Sequence, residues 1–186
     1  MPTLSVMRQK GFSLLEIMIV IVIIGVGAAT IRLAIVKEDP LNEVVKTANA
    51  FSFWFGNQLD ESLLTNSEVG LYFTESGVAL LSWREGDVDN GEEEIVWDVE
   101  SEVDYATGFD DLKVELLLDI ESQQWIQLEP TLPEDTTEIA AHILLFPSED
   151  YQPSFVLIFS HKDYADESVH VTGDGFNRLV VSRETI

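Results

Sequence analysis

Hydrophobic residues are concentrated near the N-terminus of the chain. Residues 12–36 read FSLLEIMIVIVIIGVGAATIRLAIV, and Glu16 and Arg32 are the two charged residues among these 25. A helix of that length spans roughly 37 Å, which is enough to cross a hydrocarbon core of about 30 Å. The pattern predicts a membrane-spanning helix over residues 12–36, with the Arg32 side chain reaching one interface.

A second periodic segment follows Pro40. Its apolar residues recur at helical spacing, at Val44, Val45, Ala48, Phe51, Phe55, Leu59 and Leu63. This spacing predicts that an amphipathic helix over residues 37–66 continues the first one. Proline and glycine weaken helical hydrogen bonding, so we expect bends at Asp39-Pro40 and at the Gly25/Gly27 pair.

From residue 67 onwards the hydrophobic period becomes two, which predicts β-strands. The expected strands are Val69–Phe73, Val78–Trp83, Glu94–Val99, Lys113–Ile120, Trp125–Leu128, Ala140–Phe146, Ser154–Ser160, Ser168–Thr172 and Asn177–Ser182. Residues 74–77 predict a hairpin turn between the first two, and residues 173–175 predict a tight turn between the last two. The expected fold is α+β, with one long N-terminal helix packed on an antiparallel β-sheet head over residues 67–186.

Charge is distributed unevenly along the chain. Asp and Glu number 34 and Lys and Arg only 10, so the net charge is −24, yet residues 1–10 carry Arg8 and Lys10 and no acid. A chain this acidic repels nucleic acid, which excludes a phosphate-backbone binder. The basic leader keeps the N-terminus in the cytoplasm and places the acidic head across the membrane, which in a bacterium is the periplasm. We therefore expect a single-pass protein of the inner membrane.

A cleaved secretory signal peptide is the first alternative for the N-terminal segment, with residues 27–29 as the cleavage site. The apolar run is too long for it, and Glu16 lies where such a signal tolerates no charge. A carboxylate near the bilayer interior costs about 2.5–3.5 kcal/mol, so Glu16 is expected to have a partner. The other interpretation of Glu16 is a tolerated charge in a plain anchor helix.

The junction between leader and helix resembles the type IV prepilin signature. It reads Lys10-Gly11-Phe12-Ser13-Leu14-Leu15-Glu16. The resemblance implies a leader over residues 1–11, cleavage by a prepilin peptidase between Gly11 and Phe12, and methylation of the new Phe12 amine. It also implies an assembly role for Glu16, whose carboxylate would neutralise the amine of an adjacent subunit.

Two further stretches resemble the H-type minor pseudopilin of type II secretion systems, general secretion pathway protein H. They are residues 42–73 and a C-terminal stretch made of residues 155–160, 171–175 and 178–181, whereas residues 85–137 resemble no family. The resemblance implies a non-catalytic subunit of a pseudopilus that exports folded proteins across the outer membrane, with other pseudopilins as partners. The presence of Glu16 implies a position below the tip. The alternatives are a minor pilin of a type IV pilus and a single-pass anchored periplasmic binding protein.

No enzyme, cofactor or metal site is expected. His142, His161 and His170 are far apart in sequence, no nucleophile or phosphate-binding motif is present, and cysteine is absent. The acidic run at residues 87–94 offers oxygen ligands for calcium, but its glycine and its twelfth position depart from the EF-hand pattern. We interpret it as a solvated loop, and we expect no small-molecule substrate.

The acidity and the aromatic residues of the head each have two interpretations. The negative charge either keeps an exposed head soluble or forms a face for a basic neighbour. The acids are spread evenly within the head, which favours the first interpretation. Trp97, Tyr105, Phe109 and Trp125 either anchor a partner or belong to the core, and aromatic residues in strands more often belong to the core.

Overall fold

The computed structural model describes residues 14–33, 40–85, 95–105, 111–119, 122–133, 139–162 and 166–185. The chain divides into two compact units, Met1–Glu38 and Asp39–Ile186. Helix α1 (Leu14–Leu33) belongs to the first unit, and every other element belongs to the second, which we call the head. The division follows the boundary between the predicted apolar segment and the rest of the chain.

Two helices are described where the sequence predicted one long helix. Helix α1 has 20 residues and α2 (Pro40–Thr65) has 26, and residues 34–39 between them lie outside the described residues. The single long helix is therefore not seen. The predicted span over residues 12–36 extends past α1 at both ends. Within the described residues, no helix combines the length and apolarity needed to cross a membrane.

The two ends of α2 have recognisable local causes. Proline suits a first helical turn because its φ is fixed and its missing N–H would have no partner there, and α2 begins at Pro40. At the other end, Asn66 has a φ of 52°, and the Ser67 N–H donates to the Ser62 carbonyl at 3.2 Å. This is the Schellman pattern, which satisfies a free carbonyl at the helix end.

The part of the head that the structure describes contains ten strands. They are β1 (Val69–Phe73), β2 (Gly77–Glu85), β3 (Ile95–Asp104), β4 (Leu112–Asp119), β5 (Gln123–Ile126), β6 (Ile143–Leu145), β7 (Tyr151–Gln152), β8 (Ser154–His161), β9 (Glu167–Gly173) and β10 (Val180–Thr185). They form two five-stranded sheets with the orders β3-β2-β1-β6-β7 (sheet 1) and β10-β9-β8-β4-β5 (sheet 2), and every described pairing is antiparallel. The α+β class with antiparallel sheets is confirmed.

Helix α2 joins the two sheets through its aromatic residues. The Phe51 ring lies 5.9 Å from that of Phe73 in β1 and 6.3 Å from that of Phe159 in β8, measured between ring centroids. Phe55 approaches Phe155 and Tyr151 at 5.7 and 5.0 Å. The main core of the head is therefore shared by α2 and both sheets.

The predicted apolar stripe of α2 is buried except at Val45, which is half-buried against the core, and at its end. Val44, Ala48, Phe51, Phe55 and Leu59 are all buried, as the periodicity predicted. Leu63, however, is 41% exposed, and the buried position belongs to Ser62. The Ser62 hydroxyl donates to the Ser67 carbonyl at 2.7 Å, so the helix cap draws Ser62 inward and rotates Leu63 outward.

The predicted β1–β2 hairpin is confirmed, and the side chain of Thr74 organises its turn. The Thr74 N–H donates to the Gly77 carbonyl and the Gly77 N–H donates to the Thr74 hydroxyl, both at 2.9 Å. A side chain at Gly77 would place its Cβ 2.5 Å from the Val103 carbonyl oxygen of β3. Glycine is therefore required by this close approach.

Several strand boundaries differ from the prediction. The last hairpin has a loop over residues 174–179, because the Asp174 carboxylate accepts the N–H groups of Phe176 and Asn177 at 3.1 and 2.8 Å and holds the chain in a turn. Strand β10 therefore begins at Val180, not at residue 177. Other boundaries move by a few residues: β3 extends to Asp104 and β5 occupies residues 123–126, because register with the neighbouring strand decides where a strand stops.

Candidate functional site

The residues predicted for leader processing lie outside the described residues. These are Arg8, Lys10, Gly11 and Phe12. Glu16, the predicted assembly residue, is described: it lies in the first turn of α1, and its side chain is exposed. A carboxylate at this end of a helix is favoured by the partial positive charge of the helix N-terminus.

Helix α1 presents a continuous apolar surface around Glu16. Side chains are described for residues 14–24 of this helix, and all of them are apolar and exposed except Glu16, which is exposed and charged. The apolar exposures run from 45% at Val20 to 79% at Leu14. A helix that is apolar on all sides requires an apolar environment, which is either lipid or other protein surfaces. Within that environment, the one described carboxylate would attract a cationic group.

In the head, Arg178 fastens the loop over residues 174–179 to α2. Its guanidinium donates to the Gly56 carbonyl at 2.7 Å and to the Asp60 carboxylate at 2.5 Å. Gly56 leaves the space for this contact, because a Cβ there would lie 2.5 Å from an Arg178 nitrogen. Helical periodicity does not predict this contact, and the sequence signal for it is a glycine inside a strongly periodic helix.

Hydrogen bonds of Asp174 and Tyr151 also stabilise the loop over residues 174–179. Hydrogen bonds from the Asn177 side chain, the Asn177 N–H and the Phe176 N–H stabilise the ionised Asp174 carboxylate and lower its pKa to about 2. Buried Tyr151 donates its hydroxyl to the Asn177 carbonyl at 2.8 Å. These contacts fix the loop beside the end of β7.

His142 has a structural position between β1 and β6. The Phe73 N–H donates to the Nδ1 atom of the His142 ring at 3.0 Å, and the backbone N–H of His142 donates to the Leu71 carbonyl at 2.8 Å. The His142 ring stacks on the Tyr72 ring, with 4.4 Å between the ring centroids. Burial lowers its pKa from 6.5 to about 4, so the ring is neutral at pH 7. The sequence analysis placed His142 inside a strand, but β6 begins one residue later, at Ile143.

The four aromatic residues considered as anchors have different environments. Tyr105 is buried in the core, and Trp97 is half-buried in a smaller cluster with Ala79 and Leu81. Trp125 is 58% exposed on β5, and Phe109 lies outside the described residues. Of the three that are described, Trp125 is the one available to a partner.

The described part of the head contains no group of three or more metal-ligating side chains. The acidic run over residues 87–94 lies outside the described residues. His161 is buried in β8, and His170 in β9 has its Nε2 at 3.0 Å from the Ser168 hydroxyl. At the N-terminus, the described residues form an exposed apolar surface of α1 that contains Glu16.

Comparison with known proteins identifies the N-terminal segment. Residues 6–31 match the family model of the prokaryotic N-terminal methylation motif. No curated protein and no solved structure gives a significant match to the chain. The matched residues include the predicted cleavage position, Glu16 and most of α1. The chain therefore carries a type IV prepilin-like methylation motif, and its N-terminus is pilin-like.

Proposed function

We propose that this chain is an H-type minor pseudopilin of a type II secretion system, a subunit of the pseudopilus that helps export folded proteins across the outer membrane. One observation carries the proposal. The methylation motif at residues 6–31 coincides with a helix whose described side chains, at residues 14–24, are exposed and apolar around Glu16. Such a helix is suited to lipid before assembly and to neighbouring helices after it.

In this proposal the prepilin peptidase cuts between Gly11 and Phe12 on the cytoplasmic side of the inner membrane, and the Phe12 amine is methylated. Glycine lets a narrow active site approach the scissile bond, and Arg8 and Lys10 keep the leader in the cytoplasm. The acidic head lies in the periplasm.

In this proposal, Glu16 favours contact with a neighbouring subunit. A carboxylate in the bilayer costs about 2.5–3.5 kcal/mol, and contact with the cationic Phe12 amine of a neighbouring subunit offsets this cost. The neighbouring helices then cover the apolar side chains of α1. The function is structural, without catalysis, cofactor or small-molecule substrate, and the partners are other pseudopilins.

The assignment to secretion is supported by the resemblance of residues 42–73 and of residues 155–160, 171–175 and 178–181 to the H-type family. These residues cover most of α2, strand β1, most of β8 and parts of β9 and β10. A minor pilin of a type IV pilus is the second candidate, because the methylation motif is common to both assemblies. A plain anchored periplasmic protein would need neither the cleavage site nor Glu16.

The first test is the mass and N-terminal sequence of the protein isolated from membranes with and without the prepilin peptidase. We expect N-methyl-Phe12 when the peptidase is present and Met1 when it is absent. A terminus at Met1 in both cases contradicts the proposal, and so does a terminus near Thr30, which would indicate signal-peptide cleavage.

The second test separates assembly from processing. Glu16→Gln is expected to give a correctly cleaved protein that is lost from pseudopili co-purified with the other pseudopilins. Glu61→Gln, in the exposed part of α2, is the matched control and should incorporate normally. Equal incorporation of both variants would contradict the role of Glu16. Loss of pili with intact secretion in a deletion strain would favour the minor pilin.

A further inference from the structure

Sheet 2 has one face in the core and one face that no described core residue covers. In β8, Phe155, Leu157 and Phe159 are buried against α2 and sheet 1, whereas Val156 and Ile158, which alternate with them, are half-buried. Successive side chains of a strand point to opposite faces, so Val156 and Ile158 belong to the outer face. An outer face of an antiparallel sheet that contacts water is normally polar.

A row of four apolar residues and one threonine crosses this outer face from one edge of sheet 2 to the other. The backbone register aligns one residue from each of the five strands, in the order Val180, Thr172, Val156, Leu117 and Trp125. We call these five residues the outer row. With strands about 4.8 Å apart, the outer row extends over about 19 Å. Its two end residues are exposed, with Val180 at 62% and Trp125 at 58%.

The charge around the outer row is distributed as in a protein interface. Strands β5 and β8 carry no Asp, Glu, Lys or Arg, although the chain has 34 acids. Asp119 and Asp174 line a shallow groove of about 260 Å³ together with Leu117 and Val156. On the other side of the row the outer face carries Glu184 on β10 and Glu115, which forms an ion pair with Lys113 at 2.9 Å. An apolar centre without charge and a charged border are the usual anatomy of an interface.

We propose that the outer row is a docking surface for a positively charged protein. Its contact face would present aliphatic or aromatic side chains bordered by Lys and Arg, which complement the apolar row and its acidic border. A second copy of this chain does not fit, because two molecules of charge −24 repel each other. An anionic lipid surface is disfavoured by the same acidic border. A row of this size is typical of a transient contact.

The proposal goes beyond pseudopilus assembly through α1, because it concerns the head alone and does not depend on leader cleavage. Its failure and the failure of the proposed function are therefore distinguished by the state of the N-terminus. A processed chain whose outer row binds nothing contradicts only the docking surface. A chain that keeps Met1 and still binds through the outer row contradicts only the proposed function.

The first experiment is photo-crosslinking in intact cells that produce the full-length chain. Benzoylphenylalanine replaces Trp125 in one strain and Phe53, an exposed aromatic residue of α2, in the control strain. We expect one adduct from position 125 that is absent from position 53, and a crosslinked protein with a basic surface. The absence of an adduct specific to position 125 overturns the proposal. An adduct with a second copy of this chain, with lipid or with an acidic protein also overturns it.

The second experiment measures binding of the purified crosslinked protein to the full-length chain in detergent. Trp125→Ala and Val180→Ser, at opposite ends of the outer row, are each expected to weaken binding at least tenfold, and Phe53→Ala should leave it unchanged. Asp119→Asn should weaken binding at 50 mM salt but not at 500 mM salt, where the charge is screened. Unchanged affinity in both outer-row variants, or binding of the unmodified chain that does not respond to salt, contradicts the proposal.

Discussion

At the scale of single residues, the environment of His142 predicts a pH dependence of stability. Its folded-state pKa is about 4 because the ring is buried, against 6.5 for an exposed histidine. The unfolded chain therefore binds a proton first as the pH falls. The free energy of unfolding should be insensitive to His142 above pH 6.5 and should decrease between pH 6.5 and pH 4, by up to about 3 kcal/mol.

The measurement is urea unfolding at pH 7.0, 5.5 and 4.5 for the wild type and for His142→Asn, whose side-chain oxygen can accept the Phe73 N–H bond. The variant should be less stable at pH 7 because the stacking on Tyr72 is lost, but its acid-induced decrease should be smaller. Asn57→Ala, at an exposed position of α2 that does not titrate, is the control and should keep the wild-type profile. Equal decreases in the wild type and His142→Asn would show that carboxylates, not His142, cause the acid sensitivity.

Two buried tyrosines offer a matched pair of predictions about hydroxyl groups. The Tyr105 hydroxyl is buried and has no hydrogen-bond partner among the described residues, whereas the Tyr151 hydroxyl donates to the Asn177 carbonyl. An unpaired buried polar group is destabilising, so Tyr105→Phe should raise the free energy of unfolding by about 1 kcal/mol. Tyr151→Phe should lower it by about 1 kcal/mol. Urea unfolding measures both changes, and a loss of stability in Tyr105→Phe would show that its hydroxyl has a partner.

At the scale of secondary-structure elements, Gly56 and Arg178 predict a coupling between α2 and the loop over residues 174–179. Glycine in a helix is less favourable than alanine by about 1 kcal/mol, but a Cβ at Gly56 would displace the Arg178 guanidinium. Gly56→Ala alone should therefore change the stability little. In the Arg178→Ala background, the same substitution should be stabilising by about 1 kcal/mol.

A double-mutant cycle of urea unfolding measures this coupling directly. Asn57→Ala, which makes no described contact with Arg178, should have the same effect in both backgrounds. If Gly56→Ala is equally stabilising with and without Arg178, the contact does not restrain the loop.

The elements could be predicted from the sequence to different degrees. The stripe from Val44 to Leu59 and the hairpin at Thr74 are encoded locally, by helical periodicity and by turn chemistry, and both are confirmed. The start of β10 and the exposure of Leu63 are not encoded in this way. They depend on hydrogen bonds of Asp174 and Ser62 that form only when the loop and the helix cap are in place.

The candidate site also combines features that are encoded locally in the sequence with features that depend on the fold. The junction from Lys10 to Glu16 was recognisable because processing requires a short contiguous sequence, and the family match at residues 6–31 includes it. The outer row was not recognisable, because its five residues come from five strands and are aligned by backbone pairing. Of these, Trp125 was singled out from the sequence, but its exposure follows from the position of β5 at a sheet edge.

At the scale of the whole molecule, the net charge of −24 predicts that salt stabilises the chain. Among the described residues, ion pairs join Arg84 to Asp98, Lys113 to Glu115 and Arg178 to Asp60, and all six side chains are substantially exposed. Surface pairs of this kind contribute about 0–1 kcal/mol each. Repulsion among the many remaining acids should outweigh them, because only 10 Lys and Arg residues face 34 Asp and Glu residues.

Added salt screens both the attraction within the ion pairs and the repulsion among the acids, so the balance between the two decides whether salt stabilises the chain. Raising NaCl from 0.05 to 0.5 M shortens the screening length from about 14 to about 4 Å, and we expect the urea midpoint to rise. The double variant Glu100→Lys and Glu102→Lys, at exposed positions of β3, should start from a higher midpoint in low salt and gain less from added salt. A wild-type midpoint that falls with salt would show that attraction within ion pairs outweighs the repulsion among acids. In that case the acidic surface is compensated within the head, and a basic partner would gain little from it.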